Sequence, residues 1–128
     1  EDTAIRDLQS GNDNIRALQE RGIRIALDDF GTGYSSLAHL RELHVDQIKL
    51  DRQFLNGLET DPRQRELVRA MVGLTHSLEM EVVAEGVERP EQMAFLAESG
   101  CDYVQGHLLQ KPRAADLCHF RMRRLAAV

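Results

Sequence analysis

Cysteine is scarce. The chain carries only Cys101 and Cys118, too far apart for a CxxC motif, and its five histidines (His39, His44, His76, His107, His119) show no metal-ligand spacing. A structural zinc site is not expected, and two isolated thiols read as reduced, mostly buried groups of a cytoplasmic protein. A basic excess is also missing: 16 Lys+Arg against 21 Asp+Glu give a net charge of −5, which argues against general DNA or RNA binding. No apolar run approaches the ~18 residues of a membrane-spanning helix, and no signal-peptide pattern opens the chain. Neither a membrane segment nor secretion is therefore expected of it, although a parent protein could be membrane-anchored elsewhere. What remains, 128 residues with 42% hydrophobic and 29% charged, is ordinary globular composition without low-complexity segments.

The charge is uneven. Residues 111–128 carry a local +4, leaving −9 on residues 1–110. A basic last helix could dock an acidic partner, or its late arginines could simply complement a helix dipole in solvent.

Periodicity predicts helices alternating with short strands. Thr3 to Glu20 sets Ile5, Leu8, Ile15 and Leu18 on one helical face, and Gly22 closes it. Ile23 to Leu27 reads as a buried strand ending in Asp28-Asp29, followed by a Gly31-Thr32-Gly33 turn and a helix over Ser35 to Glu42. Val45 to Leu50 is a second strand. Asp61-Pro62 opens a long helix with Leu67, Met71, Leu74 and Leu78 as its apolar stripe. Glu81 to Ala84 is a third strand, Pro90 to Gly100 a helix, Cys101 to Val104 a fourth strand, and a last helix follows Pro112. Such alternation implies parallel pairing with right-handed crossovers. A small doubly wound sheet and half of a (β/α)8 barrel both fit. Length alone favours the first; the polar residues favour the second.

Each strand ends in a charged or amide group: Asp28-Asp29, Lys49 with Asp51, Glu85, then Gln105. Charge at a buried strand end is costly unless paired, hydrogen-bonded or metal-bound. Any one could be a helix cap, but four in succession point to one rim, where parallel α/β folds bind ligands. Asp28 and Asp29 would normally face opposite sides, yet a turn can bring both carboxylates near one point. Paired like charges then call for a cation, and hard oxygen donors suit Mg²⁺ or Mn²⁺. Lys49 could contact a phosphate oxygen, and Glu85 could accept a proton from water. The set suggests phosphoryl-ester chemistry. Gly31-Thr32-Gly33 could cradle phosphate through its N–H groups or merely permit a sharp turn, since dinucleotide and P-loop signatures are incomplete. A phosphoacceptor receiver would place two helices and a strand between its acidic pair and its phosphorylated Asp, whereas only one helix fits between Asp29 and Asp51.

With these segments in place, the sequence resembles the C-terminal half of an EAL-type cyclic di-GMP phosphodiesterase domain. The resemblance is carried by the ten-residue block Asp28-Asp29-Phe30-Gly31-Thr32-Gly33-Tyr34-Ser35-Ser36-Leu37, then Ile48-Lys49-Leu50-Asp51, Ala84-Glu85-Gly86-Val87-Glu88, Gln105-Gly106 and Lys111-Pro112. It implies an α/β fold, the second half of a modified (β/α)8 barrel. It also implies hydrolysis of cyclic di-GMP to linear pGpG with two Mg²⁺ or Mn²⁺ ions. By resemblance Asp28 and Asp29 are metal ligands, and Lys49 and Glu85 are catalytic. Asp51, Glu88 and Gln105 line the site, and Glu1, Gly31, Thr32 and Gly33 position its loop. A homodimer and an attached sensory or diguanylate cyclase domain are further implications. The chain has no Glu-Ala-Leu motif and lacks the family's metal-binding Asn, which belong to the first half of such a barrel. It is therefore expected to be a fragment, an ordered remnant, or half of a barrel completed by a second chain; a non-catalytic receptor or a scaffold are the competing roles.

Overall fold

The computed structural model describes residues 2–31 and 37–112. Helix α1 (Asp2–Gln19) leads to strand β1 (Ala26–Phe30), α2 (Leu37–Glu42), β2 (Gln47–Leu50) and a 3-10 turn (Arg52–Leu55). Then come α3 (Pro62–Ser77), β3 (Glu81–Glu85), α4 (Pro90–Glu98) and β4 (Tyr103–Gln105). The strands form one sheet in the order β1-β2-β3-β4, all pairs parallel, as the alternation of elements predicts. None of the described helices is long and apolar enough to cross a membrane.

Side chains alternate across the sheet. Ile48, Leu50, Val82 and Ala84 are fully buried on one face, packed in a core with Leu55, Leu58, Val68, Val72, Phe95 and Leu96. The opposite face carries Val83 among the polar side chains Gln47, Lys49, Glu81, Glu85 and Tyr103, all half-buried. Parallel sheets usually have both faces covered by apolar groups. Here the second face is mostly polar, and that is where the site lies.

Caps fix the helix boundaries. Asp61 accepts from the Arg63 N–H at 2.9 Å with Pro62 in the first turn, and Gly22 adopts φ +78 after α1. Several boundaries differ from the sequence reading. The ladder of β1 starts at Ala26, not Ile23, because its partner β2 starts at Gln47, not Val45. Ile23 stays 47% exposed, and the Ile25 backbone instead bonds Asp46. On α3 the buried stripe is Val68, Val72 and Thr75, one position beyond the expected one, and Leu67 is 46% exposed. Two adjacent stripes of that helix carry the same i, i+4, i+7 period, so periodicity alone does not choose between them. Thr75 is tolerated in the core because its hydroxyl donates to the Met71 carbonyl at 2.9 Å. The helix expected after Pro112 lies outside the described residues.

Candidate active site

Successive parallel strands bring Asp28, Lys49 and Glu85 to one end of the sheet. β2 and β3 keep strict register, with Lys49 opposite Val83, and β3 places Glu85 opposite Gln105. β1 does not: Leu27 pairs with Ile48 and Phe30 with Leu50, so Asp28 and Asp29 together oppose Lys49. This bulge is accommodated by a left-handed residue, Asp29, at φ +53. The Asp28 carboxylate accepts from the Asp29 N–H at 3.0 Å, which braces the bulge. The turn expected at the strand end is thus a bulge inside the strand.

Lys49 joins the two flanking acids. Its Nζ lies 2.5 Å from Glu85 Oε1 and 3.3 Å from Asp28 Oδ1. The bond to Glu85 raises the lysine above its ordinary pKa; burial opposes this and the bond to Asp28 reinforces it. Lys49 is therefore favoured as a cation and N–H donor rather than as a base. Asp28 is the open end of the line, its side chain 61% exposed against 26% for Lys49 and 23% for Glu85.

The other expected site residues are dispersed. Asp51 caps the 3-10 turn, accepting from the Gln53 N–H at 2.8 Å. Gln105 is exposed at the end of β4, and its carbonyl accepts from the Val87 N–H at 3.0 Å. Glu88 is exposed and borders a separate cavity of about 290 Å³ with Arg52, Asn56, Gly86, Arg89 and Gln92. Gly31 takes φ +90, and a β-carbon there would press on the Phe54 ring at 2.5 Å, so glycine serves a close approach of backbone to ring. Glu1, Thr32 and Gly33 lie outside the described residues.

Two features escaped the sequence reading. One is a network at the opposite strand ends: Arg24 pairs with Glu81, which also accepts from Gln47 at 3.1 Å and Tyr103 at 3.4 Å. Burial pushes the Glu81 carboxyl up, but the bonds from Arg24 and Gln47 outweigh it and hold the group below its usual range. The other is buried Gln92, which accepts from the backbone N–H groups of Glu88 and Arg89. The available signal was Pro90 at a helix start with Gln two positions on, a capping pattern.

Residues 1–112 match the family described as the EAL domain. The chain belongs to the EAL domain family. It is 46% identical over 98 residues to the cyclic di-GMP phosphodiesterase NbdA of Pseudomonas aeruginosa, covering 77% of this chain and 12% of that protein. The c-di-GMP complex of the PaMucR phosphodiesterase superposes with a TM-score of 0.76 at 42% identity, over 89% of this chain and 46% of that one. The manganese and cyclic di-GMP complex of BlrP1 from Klebsiella pneumoniae superposes with a TM-score of 0.67 at 34% identity, over 75% of this chain and 24% of that one. The chain thus spans less than half the length of these relatives, and its sheet is part of an EAL barrel-like fold.

Among the described residues, no group of three or more His, Cys, Asp or Glu side chains is placed to hold a metal ion. Asp28 and Asp29 nevertheless offer two adjacent carboxylates at an exposed bulge, hard oxygen donors suited to Mg²⁺, Mn²⁺ or Ca²⁺. The chemistry of this pair fits a divalent ion.

Proposed function

We propose that this chain supplies one half of the active site of a metal-dependent cyclic di-GMP phosphodiesterase that yields linear pGpG. The observation that carries the reading is the line Asp28–Lys49–Glu85 across the same ends of β1, β2 and β3. Asp28 and Asp29 would hold Mg²⁺ or Mn²⁺, two ions in the complete domain. Such ions, when bound, supply Lewis-acid polarisation of the phosphodiester and a more acidic water.

The protein groups have separate tasks. Lys49, kept protonated, donates to a phosphate oxygen or to the attacking water and balances the acids on either side. Glu85 orients that water and accepts its proton, with Lys49 fixing the carboxylate in place. Gln105, opposite Glu85 in register, would offer an amide to the nucleotide; Asp51, which caps the 3-10 turn, and Glu88, at a separate cavity, stand apart from that line.

The test is hydrolysis of cyclic di-GMP by the protein carrying this chain in a complete EAL domain, with Mg²⁺ or Mn²⁺ supplied. Production of pGpG is expected, and an Asp29→Asn variant should lose about 10²-fold or more in rate. Tight nucleotide binding without turnover would replace catalysis by a receptor role; full turnover in Asp29→Asn would remove the metal assignment.

A further inference from the structure

The two chain segments that leave the site after Lys49 and after Glu85 are joined by one buried side chain. Gln92 is 6% exposed, among the few buried polar residues of the described chain. Its Oε1 accepts from the backbone N–H groups of Glu88 at 3.0 Å and Arg89 at 3.2 Å. Its Nε2 donates to the Leu55 carbonyl at 3.3 Å. Leu55 ends the 3-10 turn that follows Lys49 through Asp51, and Glu88 lies three residues beyond Glu85.

A primary amide is suited to this place. Carbonyl and amino ends both find backbone partners, so burial leaves neither unsatisfied. A hydrocarbon of equal length would fill the space but strip the Glu88 and Arg89 N–H groups of that acceptor, and would leave the Leu55 carbonyl with its 3.4 Å bond from Leu58. Neighbouring contacts make the coupling stiff. Gly86, at φ +74, lies so close to Arg52 that a β-carbon would collide with that side chain. Val87, fully buried, donates to the Gln105 carbonyl and accepts from the Leu108 N–H, each at 3.0 Å.

We propose that Gln92 is a positioning residue for the reaction, setting the spacing of Glu85 from Lys49 by tying the segment after β3 to the turn after β2. The proposal rests on the phosphodiesterase reading for its kinetic consequence, but not for its structural one. The 2.5 Å contact of Lys49 with Glu85 tolerates little displacement, and shifts of an ångström at such a site cost about 10²-fold in rate.

The experiment compares Gln92→Met and Gln92→Glu with the unaltered protein, carrying the chain in a complete EAL domain. kcat and KM for cyclic di-GMP and amide hydrogen exchange at Glu88 and Arg89 are measured on each. Gln92→Met keeps length and loses all three bonds; Gln92→Glu keeps the two-fold acceptor at a helix N-terminus, which favours a carboxylate, but has no N–H for the Leu55 carbonyl. Expected are a fall in kcat of about tenfold to 10²-fold in both variants with little change in KM, since both break the tie to Leu55, and faster exchange at the two amides in Gln92→Met only. Unchanged kcat in either folded variant overturns the proposal. Should Gln92→Met not fold, Gln92→Glu decides alone: a lowered kcat supports the proposal, and a retained kcat overturns it. If the unaltered protein hydrolyses no cyclic di-GMP, the functional reading fails by itself, and the exchange data still decide whether Gln92 holds the segment.

Discussion

Lys49 and Glu85 form a 2.5 Å ion pair although they are not register partners: Lys49 lies opposite Val83, and Glu85 two residues further along β3. The long lysine side chain therefore leans along the strands toward their C-terminal ends, where it also meets Asp28. One cation balances acids from the strands on both its sides.

Replacing Lys49 with Met should lower cyclic di-GMP turnover by about 10²-fold, as loss of a fixed donor at a reacting oxyanion does elsewhere. The ion pair is partly solvated, so its removal should cost no more than about 1 kcal/mol of stability. Steady-state kinetics set beside a urea titration separates the two effects.

The same lysine fixes a sign for alkaline behaviour. Its folded pKa is raised above the reference 10.5, so its stabilising contribution is complete below pH 10.5 and disappears as pH climbs through the folded value. No loss of Lys49 charge should enter a pH–rate profile below about pH 10. Profiles of wild type and Lys49→Arg, both protonated over that range, should differ in height rather than in the position of their alkaline limbs.

Acid should weaken the fold at the opposite strand ends. Burial raises the Asp46 carboxyl, but the Ile25 N–H and Gln19 amide that bond it bring it below the reference 3.8; Glu81 is likewise held below 4.5. Lowered folded values mean stability that is present above the reference pKa and lost as pH falls through the folded ones. Urea midpoints should hold from pH 7 to about 5 and decline below about 4, and Asp46→Asn should shrink that decline while costing about 1–3 kcal/mol at neutral pH.

Gly86→Ala should destabilise by about 1–3 kcal/mol, because φ +74 disfavours a side chain and the new methyl would strike the Arg52 side chain. Arg52→Gly in the same background removes the collision but not the backbone cost, so thermal melts of the double variant should recover only part of the loss.

Cys101 should resist alkylation in the folded state. Burial pushes its thiol up to about 11, and its sulfur is enclosed near the Val82 and Tyr103 carbonyls. Peptide mapping after iodoacetamide treatment at pH 8 should find Cys101 unmodified in native protein and modified in urea.

Much of this was readable in the residues. Strand-end acids marked β1 and β3 because buried parallel strands tolerate charge only at their ends, and Pro62, Pro90, Gly22 and Gly100 punctuated the helices. The convergence of Asp28, Lys49 and Glu85 followed from parallel alternation alone. What was hidden depends on partners distant in sequence. The start of β1 is set by where β2 begins, and the buried stripe of α3 by the sheet beneath it. The bulge that makes Asp28 and Asp29 oppose Lys49 is a register event between two strands, and Gln92 matters only because Leu55 is its neighbour.

The left-handed backbone at Asp29 sets two interests against each other. An L-residue there bears a conformational penalty of about 1 kcal/mol that glycine would not, so selection for heat resistance alone would be drawn to Asp29→Gly. That exchange would delete one of the two adjacent carboxylates at the bulge. On the proposed metal assignment, durability and ion-holding capacity are traded at a single codon, and thermostable descendants of this chain should leave it untouched.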